Sequence, residues 1–291
     1  SAIPGGAFDF SIRGKASTGA GNEPLVVIDG FPMQSFKDLE IVNSNDIETI
    51  EVLKDASATA IYGARAANGV LLVNTRKGRQ GAAQVTVRSN ISVQTLSSPL
   101  KMMKARELME ATNSFYYEDY LYQNRKGVYA GLGNAPVEEV PLRVEYTSEE
   151  IAQARDITDW MGEITRNGVI FDNHVSIRGG EKVRYHVSLS SFNQKGVLIT
   201  SDYAKYSGYT SLEINLSEKI KTGLNLALSQ ANVSDPELSQ SSDYAGIIRD
   251  AAAYPTFYPI YNEDGSYFIN PKHLQYPNPV SWKDVHNISE E

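Results

Sequence analysis

The segment from Pro24 to Gly78 contains three short apolar runs divided by glycine turns, and it constrains the fold more than any other part of the chain. Residues 25–28 form an apolar run that stops at Asp29 and Gly30, which predicts a buried strand ending in a tight turn. Residues 49–53 and 70–75 predict two further strands. Small residues from 55 to 62, followed by Gly63, predict a short helix that can pack closely on a sheet. We therefore expect a small mixed α/β domain.

After Gly81 the pattern changes to long segments in which apolar and polar residues alternate. Alternation with a period of two gives a strand one apolar and one polar face, and it covers residues 85–94, 171–178, 183–190, 211–217 and 222–229. Short polar turns near residues 179–182 and 218–219 join the last four segments into two hairpins. Strands of this kind are typical of a transmembrane β-barrel. A soluble β-sandwich alternates in the same way, because one of its faces packs on a core.

The connections between these segments differ greatly in length, and the difference favours the barrel. The hairpin turns are short, whereas the connections from Leu96 to Asn167 and from Ala231 to about Gly265 are long. Barrels of the outer membrane combine short periplasmic turns with long outer loops. The first long connection is predicted to contain helices, because residues 103–112 have helical spacing and Thr147 with Glu150 can form a capping box.

Composition and residue spacing exclude several functional classes. The net charge of −8, with both signs interspersed, argues against a nucleic-acid partner. The absence of cysteine excludes disulfide scaffolds and thiol chemistry, and no apolar stretch approaches the roughly 18 residues of a membrane-spanning helix. His174 and His186 fall on the polar faces of paired strands, but no third ligand has diagnostic spacing. We therefore predict no metal site, no cofactor and no enzymatic activity.

Several ordered motifs give the chain a family resemblance. Residues 27–30 read VIDG, residues 46–63 read DIETIEVLKDASATAIYG, and residues 67–78 read ANGVLLVNTRKG. This order closely resembles the plug-domain signature of SusC/RagA-type TonB-dependent transporters, and residues 158–160 (TDW), 176–181 (SIRGGE) and 194–196 (QKG) match later family elements. The signature positions singled out here are Asp29, Gly30, Lys54, Asp55, Tyr62, Gly63, Asn68 and Gly69.

The resemblance implies a fold and a function. The expected fold is an α+β plug domain, here residues 1–80, followed by antiparallel transmembrane β-barrel strands with long outer loops, residues 81–291, which form an incomplete barrel. The implied function is TonB-dependent import of a large nutrient across the bacterial outer membrane, with the plug gating the barrel. Implied partners are a SusD-like surface lipoprotein, an oligosaccharide or peptide substrate, and TonB. The alternative is a soluble or surface-attached β-rich ligand-binding protein that carries a plug-like module.

We also expect the chain to be only part of such a transporter. The Ton box that binds TonB, and a signal peptide, are missing from the sequence. Family barrels that hold a plug use about 22 strands, and only five or six can be placed here. We expect either that the remaining strands lie outside this sequence or that another copy covers the open edges.

A barrel also predicts which strand residues share a face. The apolar set should point to lipid: Val85, Val87, Val187, Leu189, Leu212, Ile214, Leu224 and Leu226. The polar set should point to the lumen or plug: Arg88, Arg184, His186, Glu213 and Asn225.

The segment from Tyr254 to Tyr276 is rich in aromatic residues and prolines. Aromatic rings on a stiffened chain suit stacking on sugars or packing on a partner protein, and they equally suit packing of the loop against itself. The candidates for contact with ligand or with the lid lipoprotein are Tyr254, Phe257, Tyr258 and Tyr261.

Overall fold

The computed structural model describes residues 24–53, 61–66, 68–97, 101–234, 246–272, 274 and 276–285. These residues fall into two compact units. The first unit comprises the described residues of 1–94, 167–197 and 201–235, and the second comprises those of 95–166, 198–200 and 236–291. Among the described residues, no helix combines the length and the apolarity that crossing a membrane requires.

The first unit contains a small sheet of four strands in the order β2-β1-β4-β3. The strands are β1 (Leu25–Ile28), β2 (Phe31–Pro32), β3 (Ile47–Leu53) and β4 (Val70–Thr75). β1 pairs with β4 in parallel, whereas β3 pairs with β4 in the antiparallel sense. Every residue of β1 is buried, because apolar clusters pack on both faces of the sheet. The three predicted strands are confirmed. Of the predicted helix, residues 61 and 62 are helical, and residues 54–60 lie outside the described part.

The turn after β1 explains why two family residues stand there. Asp29 has φ 50° and Gly30 has φ 89°, so both central residues of this two-residue turn lie in the left-handed region. Positive φ at both positions is what a type I′ hairpin turn requires, and Asp-Gly is among the few pairs that adopt it readily. The turn reverses the chain into β2 and leaves the Asp29 carboxylate beyond the end of β1.

The first unit also contains a long sheet of five antiparallel strands in sequential order. They are β5 (Gly81–Gln94), β6 (Gly168–Gly180), β7 (Val183–Lys195), β8 (Asp202–Asn215) and β9 (Lys221–Ser234). The predicted hairpins are confirmed, and β5 and β9 are the end strands of the sheet within the described residues. The second long connection was predicted to begin at Ala231. This was wrong, because alternation continues and pairs Ala231 with Lys205 in β8.

The two faces of the long sheet differ in the way that the alternation predicts. One face, here called the inner face, contacts the small sheet through residues that include Arg88, His186 and Asn225. Arg184 and Glu213 share that face and form an ion pair of 2.9 Å across β7 and β8. The opposite, outer face carries the eight apolar residues of the predicted set, of which Val85, Val87, Leu189, Leu224 and Leu226 are exposed. The predicted assignment of residues to two faces is confirmed.

The second unit combines α-helices of different lengths with a buried core cluster that includes Trp160, Ile247 and Tyr254. Its helices are α1 (Ala105–Gln123), α2 (Ser148–Gln153), α3 (Trp160–Ile164), α4 (Ile247–Ala253) and α5 (Trp282–Val285). α1 is longer than the predicted 103–112. The predicted capping box at α2 is confirmed, because the Thr147 hydroxyl accepts from the Glu150 amide at 3.2 Å and the Glu150 carboxylate accepts from the Thr147 amide at 2.7 Å.

Candidate functional site

The first candidate site is the contact between the small sheet and the inner face of the long sheet. Asp46 stands just before β3 and is only 1% exposed. Its Oδ1 lies 3.0 Å from Nε2 of His186 in β7 and 3.9 Å from Nε2 of His174 in β6. The other ring nitrogen of His174, Nδ1, lies 2.9 Å from the Ser190 hydroxyl. One carboxylate of the small sheet is therefore shared by two imidazoles of the long sheet.

A second polar group joins the two sheets at Asp29. The Asp29 carboxylate accepts hydrogen bonds from the Thr75 amide at 2.9 Å and the Thr75 hydroxyl at 2.5 Å. Asn225 of β9 donates to the same carboxylate at 3.1 Å. The Thr75 hydroxyl also lies 2.6 Å from the Tyr209 hydroxyl of β8. The Asp-Gly turn and the end of β4 thus share one hydrogen-bond network with two strands of the long sheet.

Flanking contacts extend this joint across the inner face. Arg88 of β5 donates to the Asn45 side-chain oxygen at 2.8 Å. Arg76 donates from Nε to the Asn45 carbonyl at 2.9 Å. The ammonium of Lys205 in β8 donates to the Glu40 carbonyl. Each of the five long strands therefore supplies at least one polar contact to the small sheet or to the segment just before β3.

Burial makes these polar contacts energetically important. Asp46 and His186 are each about 1% exposed, so neither group can exchange its partner for water without separation of the sheets. A buried polar group that loses its partner retains the cost of its desolvation. Two buried atoms at this joint, His186 Nδ1 and the Ser188 hydroxyl, have no hydrogen-bond partner among the described residues. The inner face therefore retains some unused hydrogen-bonding capacity where the small sheet covers it.

The family-signature residues divide between this joint and the turns that shape the small sheet. Asp29 takes part directly, and Gly30 completes its turn. Gly63 has φ 67° and Gly69 has φ 94°, and the Gly69 carbonyl accepts from the Leu25 amide at 3.0 Å, which aligns β1 with β4. Tyr62 packs against the apolar cluster beneath β1, and Asn68 precedes Gly69 in the turn before β4. Lys54 and Asp55 lie outside the described residues.

Sequence reasoning did not single out Asp46, Thr75 or Tyr209. Asp46 opens the DIETIEVLKD run, and Thr75 ends β4, so both lie inside recognised motifs. Their partners in the long sheet are more than 130 positions away, at His186 and Tyr209. The one sequence feature that pointed to this joint was the presence of two histidines, His174 and His186, on the polar faces of paired strands.

The second candidate site is the aromatic segment of the second unit. Tyr254 is 2% exposed, and its ring meets Trp160 edge-on at 4.6 Å. Its hydroxyl donates to the Phe268 carbonyl at 2.8 Å, and burial raises its pKa to about 12. Tyr258 is half-buried and stacks on Phe268 at 4.8 Å. The structure therefore places Tyr254 in the core as a packing residue.

The remaining candidates lie closer to the surface. Phe257 is half-buried and packs edge-on against Tyr146 at 5.9 Å. Tyr261 is 48% exposed and lies beside Tyr267, with ring centres 5.2 Å apart. Among these four aromatic residues, Tyr261 presents the most ring surface to solvent. The part of the chain that the structure describes contains no group of three or more potential metal ligands.

Comparison with known proteins identifies the family. The family profile of the TonB-dependent Receptor Plug Domain matches residues 1–70. The chain is 35% identical over 271 residues to TonB-dependent receptor P26 of Formosa agariphila, which covers 92% of this chain and 24% of that protein. It is 32% identical over 272 residues to TonB-dependent receptor SusC of Bacteroides thetaiotaomicron, covering 91% of this chain and 24% of that protein. The chain thus spans about a quarter of the length of these curated relatives.

A solved structure agrees with these sequence matches. The RagAB peptide importer in its "open-open" state superposes with a TM-score of 0.65 at 26% identity, covering 89% of this chain and 29% of that chain. The sequence relatives and the structural neighbour therefore point to the same family. The chain belongs to the SusC/RagA-type family of TonB-dependent transporters, which are proteins of the bacterial outer membrane.

Proposed function

We propose that the protein containing this chain imports a large nutrient, an oligosaccharide or a peptide, across the outer membrane with energy supplied through TonB. Residues 1–80 would be part of the plug, and residues 81–291 would begin the barrel wall and its outer loops. The SusC receptor and the RagAB peptide importer, to which the chain is similar, support this proposal. A SusD-like surface lipoprotein would serve as the lid partner, and TonB would act through a Ton box outside this sequence.

The observation that carries the proposal is the polar joint between the small sheet and the inner face of the long sheet. Asp46 and Asp29 are held by side chains from four of the long strands, through His174, His186, Asn225 and, by way of Thr75, Tyr209. A plug must stay in the lumen until it is pulled, and charge-assisted hydrogen bonds provide directional contacts that are stable at rest. Such contacts separate one by one under force, because water can replace each partner once the joint opens.

Thiol labelling in cells tests this function for either class of substrate. Ser211 is fully buried on the inner face, and this chain has no cysteine of its own. In the full-length protein, with any cysteine outside this sequence replaced by serine, Ser211→Cys therefore introduces a single thiol beneath the plug. We expect a maleimide to label Ser211→Cys in energised cells that are supplied with oligosaccharides and peptides, and to label it far less in cells lacking TonB. Burial blocks access unless the plug is remodelled.

The exposed Ser266→Cys variant of the second unit is the matched control and should be labelled equally in both strains. Equal labelling of Ser211→Cys in both strains would contradict plug remodelling by TonB. It would favour the alternative, a binding protein without transport activity.

We further propose that Tyr261, together with the half-buried Phe257 and Tyr258, contributes to contact with the ligand or the lid lipoprotein. Truncation of an exposed aromatic anchor typically weakens an interface about tenfold or more. Tyr261→Ala should therefore reduce the affinity of the full-length protein for its lid lipoprotein, measured by titration of the purified components. Tyr122→Ala on α1, which removes a ring of similar exposure, is the matched control. Unchanged affinity for both ligand and lid in variants of Tyr261, Phe257 and Tyr258 would leave these rings with a packing role alone.

A further inference from the structure

The outer face of the long sheet carries a row of polar side chains next to an apolar row. The row consists of residues that face one another across successive strands: Ser89, Asn173, Ser191, Tyr206 and Gln230. The next row toward the hairpin turns is apolar apart from Gly208, and the next row on the other side is mixed, with Ile91, Phe171, Asn193, Ala204 and Asn232. Ser89 donates to Asn173 at 2.7 Å, and Asn193 donates to Ser191 at 2.9 Å. The polar row is therefore ordered.

A depression of about 780 Å³ lies where this polar row meets the apolar row below it. Its floor is formed by Val175, Leu189 and Leu228, all exposed. The depression exists because Gly208 stands between Leu189 and Leu228 and contributes no side chain. A Cβ at this position would lie 3.4 Å from the Leu189 side chain, so a larger residue would fill the floor.

The height of the polar row on the strand fits the edge of a membrane. Eight residue steps separate Val183, next to the charged hairpin turn, from Ser191 in the row. Those steps span about 26 Å along the strand and about 20 Å of membrane height at a tilt of about 40°. The apolar band of such barrels is about 25 Å tall, so the row lies near its upper edge, on the side of the long connections.

The polar side chains at the edge of the depression, here called the rim, determine which kind of lipid headgroup the depression can bind. The rim side chains, those of Asn173, Ser191, Tyr206 and Gln230, are amides and hydroxyls without charge. Such groups donate and accept hydrogen bonds in equal measure, which matches hydroxyl groups rather than phosphate. Phosphate recognition relies on Arg or Lys, and neither lines the depression.

We propose that this depression binds a membrane lipid with an uncharged, hydroxyl-rich headgroup. One acyl chain lies on the floor over Val175, Leu189 and Leu228, and the headgroup hydroxyls bond to Asn173, Tyr206 and Gln230. The site continues the apolar surface that a protein of this family presents to acyl chains. The proposal depends only on the location of the protein in the outer membrane, so its test does not measure transport.

Native mass spectrometry of the full-length transporter in lipid nanodiscs tests the site. The nanodiscs contain monoglucosyl diacylglycerol, phosphatidylglycerol and phosphatidylethanolamine in equal proportion. The wild-type protein should retain the glucolipid above its bulk proportion, and Gly208→Leu should lower that retention about tenfold. Asn173→Leu, which removes a rim amide without filling the floor, should lower it as well.

Thr210→Leu is the matched control, because Thr210 lies one row away on the same strand and face but outside the depression. Gly208→Ala provides a milder change should Gly208→Leu impair barrel assembly, which heat-dependent gel mobility reports. Equal retention of all three lipids, preference for phosphatidylglycerol, or no effect of both Gly208 variants would overturn the proposal. Particles in which a second protein copy covers this face would overturn it too.

Discussion

Trp160→Ala should lower the local unfolding free energy of the second unit by about 3–5 kcal/mol, the range for truncating a buried Trp or Phe. Trp160 is 0% exposed and packs edge-on against Tyr254. Its indole also donates to the Pro255 carbonyl at 2.9 Å, so truncation leaves both a cavity and an unpaired carbonyl. Hydrogen exchange of the α3 and α4 amides in the full-length protein measures this change.

Tyr261→Ala is the matched control within the same aromatic segment, because that ring is 48% exposed. It should leave amide protection in α3 and α4 nearly unchanged. Similar protection in Trp160→Ala and the wild type would mean that the second unit does not depend on this core.

Asp46→Ala should loosen the small sheet from the inner face by about 1.5–3 kcal/mol, the usual contribution of a hydrogen bond to a charged group. The substitution leaves His186 and His174 buried without the carboxylate that they share. Faster hydrogen exchange in β1 and β4, with the long strands unaffected, would report the change in the full-length protein.

Glu48→Ala removes an exposed carboxylate two positions later in the chain, in β3, and is the matched control. A double-mutant cycle of Asp46→Ala with His186→Ala isolates the pair, and we expect the second substitution to cost less once the first is present. Fully additive effects would show that the two groups do not stabilise each other.

Local sequence patterns were sufficient to predict the strands, the hairpin turns and the sheet face on which each strand residue lies. Alternation with a period of two determines which residues share a face, and this is why the outward positions of Val85 and Leu226 could be predicted. Asp29 and Gly30 predicted their turn, because few residue pairs tolerate positive φ twice in succession. The length of α1 was underestimated, because Phe and Tyr from 115 to 122 carry weak intrinsic helix preference.

The contacts between distant residues could not be predicted in the same way. Asp46 and His186 are 140 positions apart, and the sequence around either residue does not predict that the other is its partner. The aromatic segment illustrates a second limit, since the composition around Tyr254 and Tyr261 is alike. One ring is buried and the other is exposed, because only Tyr254 reaches the Trp160 core.

The polar character of the joint between the small sheet and the long sheet has a thermodynamic consequence. The hydrogen bonds and ion pairs there join carboxylates, imidazoles, amides, hydroxyls, a guanidinium and an ammonium, while the apolar clusters of this region pack on the small sheet. Separation of the two surfaces would therefore hydrate polar groups and expose little hydrocarbon. The heat-capacity change of opening should be small, because that quantity grows with exposed apolar area. The two surfaces could then separate and rejoin through many cycles in water without exposing an apolar patch that would aggregate with other chains.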